Sequence, residues 1–204
     1  MNKKMKTRKL SIQTKILLSG SIIIALVCLL LEYNAYQRFK ESLVQIGVEE
    51  ADLAASLTVD NLNGDILSNI KVGSDNSQDY KDTLQVLNRM QNSSAISFLY
   101  TLYTDGTNVY YGVDTDKSAA KVGDKYETPY SELKSVFEGQ DCVQDYIDRT
   151  EEGDLITVYK PIKDRSGNVV AILGCDYNAE TVVAHLDKAV RRSIQLTILC
   201  IIVA

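Results

Sequence analysis

The sequence predicts an α+β domain held between two membrane-spanning helices. Three observations predict it: an apolar stretch near each end of the chain, a strongly acidic middle, and a change within that middle from helical periodicity to short strand-like segments separated by turns. Long uncharged apolar stretches are typical of membrane spans. Strands joined by tight turns form an antiparallel sheet.

The first apolar stretch covers residues 16–31 and follows a basic segment without any acid. At about 1.5 Å per residue its sixteen residues extend about 24 Å, close to the thickness of a hydrocarbon core of about 30 Å. The positive-inside rule keeps the basic end in the cytoplasm. We therefore expect a cytoplasmic tail at 1–15 and a first transmembrane helix at 16–35. A cleaved signal peptide is the alternative, but no A-x-A-like site follows Leu31.

The other apolar stretch follows Arg191 and Arg192 and is uncharged to Ala204. Twelve residues are too few to span a bilayer, which needs about 20. We expect residues 191–204 to be the truncated start of a second transmembrane helix, with an output half beyond it. The lipid bilayer is then a partner of both ends.

The middle segment, residues 36–190, contains 14 Lys and Arg against 26 Asp and Glu, a net charge of 14 − 26 = −12. Nucleic acid is not an expected partner, because its binding needs a basic surface. We expect an extracytoplasmic domain on a bacterial cell membrane. No catalytic, phosphate-binding, cofactor or metal motif occurs in the sequence, so neither an enzyme nor a cofactor is predicted for this region. Cys142 and Cys175 could form a disulfide or stay as thiols.

Helical periodicity opens the middle segment. Apolar residues recur at spacings of three and four from Tyr36 to about Ile70, with Glu50 interrupting the pattern. This long helix is expected to pack on its own domain near its end. Its 36–60 part is also expected to form the seam of a homodimer. A second helix is expected at 80–91.

Strand-like segments follow. Residues 96–103 and 109–114 form a predicted hairpin, and 142–148, 155–162 and 169–176 form three further strands, giving five in all. Lys160 is expected to point outward. A short helix at 130–137 has Thr128 as its expected N-cap and Pro129 at its first position. A last helix at 179–190 leads into the second span.

Three segments resemble the single Cache domain, a PAS-like sensor module of bacterial receptors: SFLYTLYTDGTNVYYGVDTD, TPYSELKSVFEGQDCVQDYI and ITVYKPIKDRSGNVVAILGCDYN. The most telling piece is Pro161, a Gly-containing turn, and a strand ending in Gly-x-Asp at Gly174 to Asp176. The segment SIQTKI before the first span resembles the start of a methyl-accepting chemotaxis receptor. The resemblance covers residues 10–204 and implies a PAS-like/Cache domain with a five-stranded antiparallel sheet.

The resemblance also implies a small extracellular ligand of the amino acid, organic acid or amine class. In amino-acid-binding relatives the acid at the end of the last strand holds the ligand's ammonium group, and Asp176 occupies that position. An N-cap of the last helix is the other role for this position, although Asn178 fits it better. Those relatives also use an Arg followed by Trp-Tyr, and this chain has no Trp.

Tyrosines are the second signal for a ligand site, since the chain has twelve of them against three Phe. Tyr rings can form the wall of a pocket while their hydroxyls point at a ligand. Ordinary packing is the alternative for each ring, and solvated turns are the alternative for the acids. The candidate ligand-binding residues are Asp176, Tyr146, Tyr111, Tyr159, Tyr103, Asp114 and Asp145.

The predicted function is the sensor portion of a transmembrane signalling receptor, with a chemotaxis transducer as the first expectation. Similar domains also occur on histidine kinases, diguanylate cyclases and phosphodiesterases. A tethered binding module without output is the alternative from another class. The sequence that follows Ala204 would discriminate between them.

Overall fold

The computed structural model describes residues 11–94, 96–116, 120–151 and 153–203. The described chain divides into two compact units, one formed by Ser42–Val183 and the other by the residues up to Glu41 together with those from Ala184. The helices and strands, in chain order, are α1 Ile12–Asp60, α2 Gly64–Leu67, α3 Gln78–Asn92, β1 Ile96–Thr104, β2 Val109–Asp114, α4 Tyr130–Phe137, β3 Cys142–Val143, β4 Asp148–Thr150, β5 Gly153–Lys163, β6 Val169–Asn178 and α5 Glu180–Val203.

The Ser42–Val183 unit is built on one antiparallel sheet in the order β2-β1-β6-β5, with β3 and β4 both pairing with the outer side of β5. The first and last long strands, β1 and β6, are neighbours at the centre of the sheet. This confirms the predicted α+β class with an antiparallel sheet. It also brings Tyr100 opposite Gly174 and Phe98 opposite Asp176, pairs far apart in the sequence.

The predicted count of five strands was wrong, because the described residues form a six-stranded sheet. The segment expected as one strand at 142–148 is divided into β3 and β4. Val143 pairs with Val158 and Asp148 pairs with Leu155, so residues 144–147 lie opposite only residues 156 and 157 of β5. The two surplus residues cannot join the ladder, and the segment therefore loops away from the sheet.

The long helix α1 ends at Asp60, ten residues earlier than expected. A separate short helix, α2, follows it. Its N-cap Asn63 accepts a hydrogen bond from the backbone N–H of Asp65 at 3.0 Å. A Cβ at Gly64 would lie 2.1 Å from the carbonyl oxygen of Lys163, so the chain needs glycine at this close approach. Leu67 and Ile70 are buried, which confirms that this region packs on its own domain.

In the Ser42–Val183 unit, α1 packs on the sheet through small residues and leaves larger apolar ones exposed. Its buried residues are Val44, Gly47, Val48, Ala51, Ala55 and Thr58. A Cβ at Gly47 would lie 2.8 Å from Cδ1 of Ile156, which shows how closely the helix approaches the strand. Glu50, which interrupts the apolar pattern, accepts a hydrogen bond from the hydroxyl of Tyr177 on β6 at 2.6 Å.

Lys160 does not point outward as expected. Its side chain is 9% exposed, and its Nζ lies 2.8 Å from Oδ1 of Asp52 on α1 and 2.6 Å from Oδ2 of Asp141 before β3. Burial opposes its charge, but hydrogen bonds to Asp141 and Asp52 outweigh this effect and raise the pKa of Lys160. The ammonium group therefore ties α1 to the sheet and to the segment that leads into β3.

In the other unit, the carboxylate of Glu32 on α1 accepts hydrogen bonds from the hydroxyls of two α5 residues, Ser193 at 3.1 Å and Thr197. By length and composition, α1 is the one helix among the described residues that could cross a membrane. The second span, predicted at 191–204, stays a prediction.

Candidate functional site

An open cavity of about 1050 Å³ lies against one face of the sheet. Sheet register decides which side chains reach it, because paired residues on neighbouring antiparallel strands point to the same face. Asp176 of β6 pairs with Phe98 of β1 and with Thr157 of β5, and all three line the cavity. The rest of the wall comes from further residues of β1 and β5, from β2 and Asp116 just after it, from the start of α4, and from the segments 120–128 and 142–151.

The floor of the cavity is a chain of hydrogen-bonded hydroxyls that ends at a buried carboxylate. The hydroxyl of Tyr126 lies 3.0 Å from that of Tyr100 and 2.8 Å from that of Tyr159. Tyr100 donates to Oδ1 of Asp176 at 3.4 Å, and Thr157 donates to the same oxygen at 2.8 Å. Asp176 is 6% exposed, so its carboxylate is held by donors from β1 and β5 rather than by bulk water.

Burial sets the protonation state of these tyrosines. It raises the pKa of Tyr100 well above the ordinary value, and the negative charge of Asp176 adds to the effect. Burial likewise raises the pKa values of Tyr126 and Tyr159. The three hydroxyls therefore stay neutral at physiological pH, and each can both donate and accept hydrogen bonds.

Gly174 makes room for the central ring. It lies opposite Tyr100 in the β1–β6 ladder, and a Cβ at this position would lie only 2.2 Å from Cε2 of Tyr100. The aromatic ring thus covers the bare glycine and carries its hydroxyl toward Asp176, two residues further along β6. This packing gives a physical reason for the Gly-x-Asp pattern noticed in the sequence.

A register irregularity between β1 and β2 places Tyr111 and Asp114 on the same face. Tyr100 pairs with Asp114 and Leu102 with Tyr111, so three steps on β2 match two on β1. The Thr101 hydroxyl accepts a hydrogen bond from the Val113 backbone N–H at 2.7 Å across this bulge. Bulges of this kind re-aim side chains, and without it Tyr111 and Asp114 would point to opposite faces.

Six of the seven predicted site residues line this one cavity: Asp176, Tyr159, Tyr111, Asp114, Asp145 and Tyr146. Asp145 and Tyr146 belong to the loop between β3 and β4, and Tyr146 is 58% exposed. The structure brings these residues together, and their role in ligand binding stays a prediction.

Tyr103 is the predicted site residue that the cavity does not include. It pairs with Tyr110 in the β1–β2 ladder, so its ring points to the opposite face from Leu102 and Tyr111. There it packs 5.5 Å from the Tyr110 ring, and the ammonium of Lys71 lies 4.2 Å from its centroid. Because side chains alternate between the two faces along β1, Tyr100 faces the cavity and Tyr103 does not.

Three residues of the floor were missed by sequence reasoning: Tyr100, Tyr126 and Thr157. Tyr100 stands three residues before Tyr103, and period-2 alternation along β1 could have separated the two. Tyr126 lies in a loop, where no periodicity indicates its direction. Thr157 could have been found only from the β5–β6 register that pairs it with Asp176.

The two cysteines of this unit, Cys142 and Cys175, are free thiols. Cys142 lines the cavity, whereas Cys175 is buried on the other face of the sheet, where its Sγ lies 3.8 Å from the carbonyl oxygen of Ala51. Because the sheet separates them, this fold does not bring the two sulfurs together. Within the described residues, no group of three or more His, Cys, Asp or Glu side chains is arranged to hold a metal ion.

Comparison with solved structures finds the fold among sensor domains. The sensor domain of the histidine kinase DctB from V. cholerae superposes with a TM-score of 0.56 at 11% identity, over 79% of this chain and 58% of that one. The ligand-binding domain of the Pseudomonas aeruginosa chemoreceptor PctC, in complex with GABA, gives a TM-score of 0.46 at 11% identity, over 74% of this chain and 65% of that one. The ligand-binding domain of the Campylobacter jejuni chemoreceptor Tlp3, in complex with L-valine, gives a TM-score of 0.40 at 16% identity, over 78% of this chain and 64% of that one.

No protein-family model matches the chain, and no curated protein matches it. The chain spans less than three fifths of the length of the DctB sensor domain. At 11% identity the likeness to DctB shows the fold. The chain therefore shares the fold of the DctB sensor domain.

Proposed function

We propose that the chain is the sensory portion of a transmembrane signalling receptor and that its cavity binds a small extracellular solute. The observation that carries the proposal is the cavity floor, where three neutral tyrosine hydroxyls and the buried Asp176 carboxylate form one hydrogen-bonded chain open to a space of about 1050 Å³. Ligand pockets combine aromatic walls with a few convergent polar groups in this way. The sensor-domain fold supports the same reading.

Placement in a membrane is part of the proposal. The apolar side chains of residues 16–31 in α1 are largely exposed, including Leu17, Ile23 and Leu31 at 71%, 61% and 64%. A continuous apolar surface of this size is unfavourable in water and favourable in lipid. The basic residues before it orient the N-terminus toward the cytoplasm, so the Ser42–Val183 unit faces outward.

Signal output would follow from a conformational difference between the bound and empty states. A ligand shifts the equilibrium only if it binds one conformer more tightly than the other. Asp141, which directly precedes the cavity residue Cys142, contacts Lys160, and Lys160 contacts Asp52 of α1. Movement of the cavity wall at Cys142 would thus act on α1 through the two contacts of Lys160, with Asp141 and with Asp52.

The resemblance at the head of the chain favours a chemotaxis transducer as the finer assignment. A sensor half of a histidine kinase or diguanylate cyclase is the second candidate, because a kinase sensor domain has the same fold. For both the chemotaxis transducer and the kinase or cyclase sensor, the proposal includes a homodimer formed through α1. Phe39, Ile46 and Leu53 recur every seven residues and are 42%, 52% and 60% exposed, so a second copy could cover them.

A thermal-shift screen of the whole chain in detergent against amino acids, organic acids and amines tests the proposal. We expect at least one hit whose stabilisation disappears in Asp176→Asn and in Tyr126→Phe, since the first removes the carboxylate charge and the second removes the central hydroxyl of the chain. Asp82→Asn is the matched control, because Asp82 is an exposed acid on α3 outside the cavity. Hits that survive both cavity variants would place the ligand elsewhere and refute the assignment of the site.

A further inference from the structure

The acids of the domain are concentrated on the cavity wall. Of the 26 acidic and 14 basic residues in 36–190, nine acids and one lysine are among the described residues that line it, and together these ten carry a formal charge of 1 − 9 = −8. The lysine is Lys125. The acids are Asp114, Asp116, Asp124, Glu127, Glu132, Asp145, Asp148, Glu151 and Asp176. A concave surface of one sign raises the local concentration of ligands of the opposite sign.

Aromatic rings form the second component of the wall. Three tyrosines make a compact group, with ring centroids 5.1 Å apart for Tyr111 and Tyr126, 5.8 Å for Tyr100 and Tyr126, and 6.0 Å for Tyr100 and Tyr111. Phe98, Tyr146 and Tyr159 complete the aromatic lining. The face of an aromatic ring carries partial negative charge and attracts cations, while its carbon surface accepts alkyl groups.

The acids and the aromatic rings together determine which kind of cation the cavity favours. A bare metal ion needs several oxygen ligands within one coordination sphere, and the described part of the chain contains no such group of acidic, His and Cys side chains. The carboxylates instead surround a space much larger than one ion. Spaced negative charges and aromatic faces suit an elongated molecule with ammonium groups separated by methylene segments.

The same wall disfavours ligands that carry carboxylates. Lys125 is the single basic residue in the described lining, so a carboxylate of the ligand would meet one cation and nine acids. In this negative field the ammonium group of an amino acid is attracted and its carboxylate is repelled. A molecule whose charged groups are all ammonium groups is attracted by the nine acids and, among the described lining residues, is repelled only by Lys125.

We infer that the cavity binds an aliphatic diamine or polyamine, held by the wall carboxylates and the tyrosine rings, in preference to amino acids and organic acids. This inference rests on the proposed function, since it names the ligand class of the same cavity. The Asp176 carboxylate at the closed end would receive one ammonium group, and Asp145 on the loop between β3 and β4 would receive the other.

Isothermal titration of the whole chain in detergent with a matched four-carbon series tests the inference. The probes are 1,4-diaminobutane with two ammonium groups, 4-aminobutyrate with one ammonium and one carboxylate, and succinate with two carboxylates. The triamine spermidine extends the series. We expect one of the two amines to bind most tightly and its affinity to fall as salt is raised.

Variants locate the binding. Asp176→Asn and Asp145→Asn should each weaken amine binding at least about tenfold, because each removes one charge-assisted hydrogen bond. Asp82→Asn removes the same charge outside the cavity and should change the affinity by less than about twofold. Equal losses in all three variants would mean diffuse surface attraction and would overturn the inference.

The remaining outcomes separate the inference from the proposed function. Tighter binding of succinate or 4-aminobutyrate, lost in Asp176→Asn, would overturn the amine preference and leave the cavity as the sensory site. Absence of heat with every probe would overturn the amine inference alone. The broad thermal-shift screen would then decide the proposed function independently.

Discussion

Replacing Gly174 with alanine tests the packing that builds the cavity floor. The new Cβ would lie 2.2 Å from Cε2 and 2.4 Å from Cζ of Tyr100, whereas ordinary van der Waals contacts begin at 3.4 Å. To regain ordinary contact, the Tyr100 ring must therefore move by about 3.4 − 2.2 = 1.2 Å. Both strands are central in the sheet, so the ring rather than the backbone should give way.

The expected loss of stability follows from three contributions. Overpacking a filled core costs about 1–3 kcal/mol. Loss of the Tyr100 hydroxyl contact with Tyr126 adds about 1 kcal/mol. Alanine is better than glycine inside a strand by about 0.5–1 kcal/mol, which offsets part of this. We expect a net loss of about 1–3 kcal/mol, together with loss of ligand binding.

Urea denaturation of the whole chain in detergent, followed by tyrosine fluorescence, measures the change in the free energy of unfolding. The chain has no Trp, so tyrosine emission is directly observable. Gly20→Ala is the matched control, because nothing lies within 4 Å of a Cβ built at Gly20. Because Gly20 lies inside α1, where alanine is better than glycine by about 0.5–1 kcal/mol, this control should leave stability unchanged or raise it slightly.

A double variant gives the decisive result. In a Tyr100→Ala background the ring is gone, and Gly174→Ala should become neutral or stabilising by up to about 1 kcal/mol. The sign of the effect of the same substitution should thus reverse. If Gly174→Ala destabilises equally with and without the Tyr100 ring, the ring-over-glycine packing is not the cause.

Two further predictions concern α1. Burial and the hydrogen bond to Glu50 raise the pKa of Tyr177 to about 12. A raised tyrosine pKa gives stability that is fully present below the unfolded value of about 10 and is lost as the pH rises through 12. Absorbance of tyrosinate should show this late ionisation, and Glu50→Gln should move it to lower pH; an unchanged titration would count against the contact. For the dimer, Leu53→Cys should cross-link two copies under oxidation, whereas Gln45→Cys should cross-link much less; equal yields would argue against the seam.

The sequence determined the kinds of elements in this protein. Charge, apolar length and periodicity were enough to predict the long first helix, the β1–β2 hairpin and the bounds of α4, because these signals are local. They also placed Tyr111, Tyr159 and Asp176 on strands, which made them candidates. The predicted N-cap of α4, Thr128, was wrong: Pro129 takes the N-cap position, has no side-chain cap hydrogen bond, and the helix begins at Tyr130.

Tertiary structure decided which of these residues meet. The pairing of β1 with β6 is non-local, and it alone puts the Tyr100 ring on Gly174 and its hydroxyl near Asp176. The bulge opposite Thr101 turns Asp114 toward the cavity. Alternation along β1 puts Tyr100 and Tyr103 on opposite faces of the sheet, but only the register with β6 decides that the Tyr100 face is the one that meets the cavity. Composition predicted an acidic domain rich in tyrosine, and only the folded sheet gathers nine of its acids around one aromatic cavity.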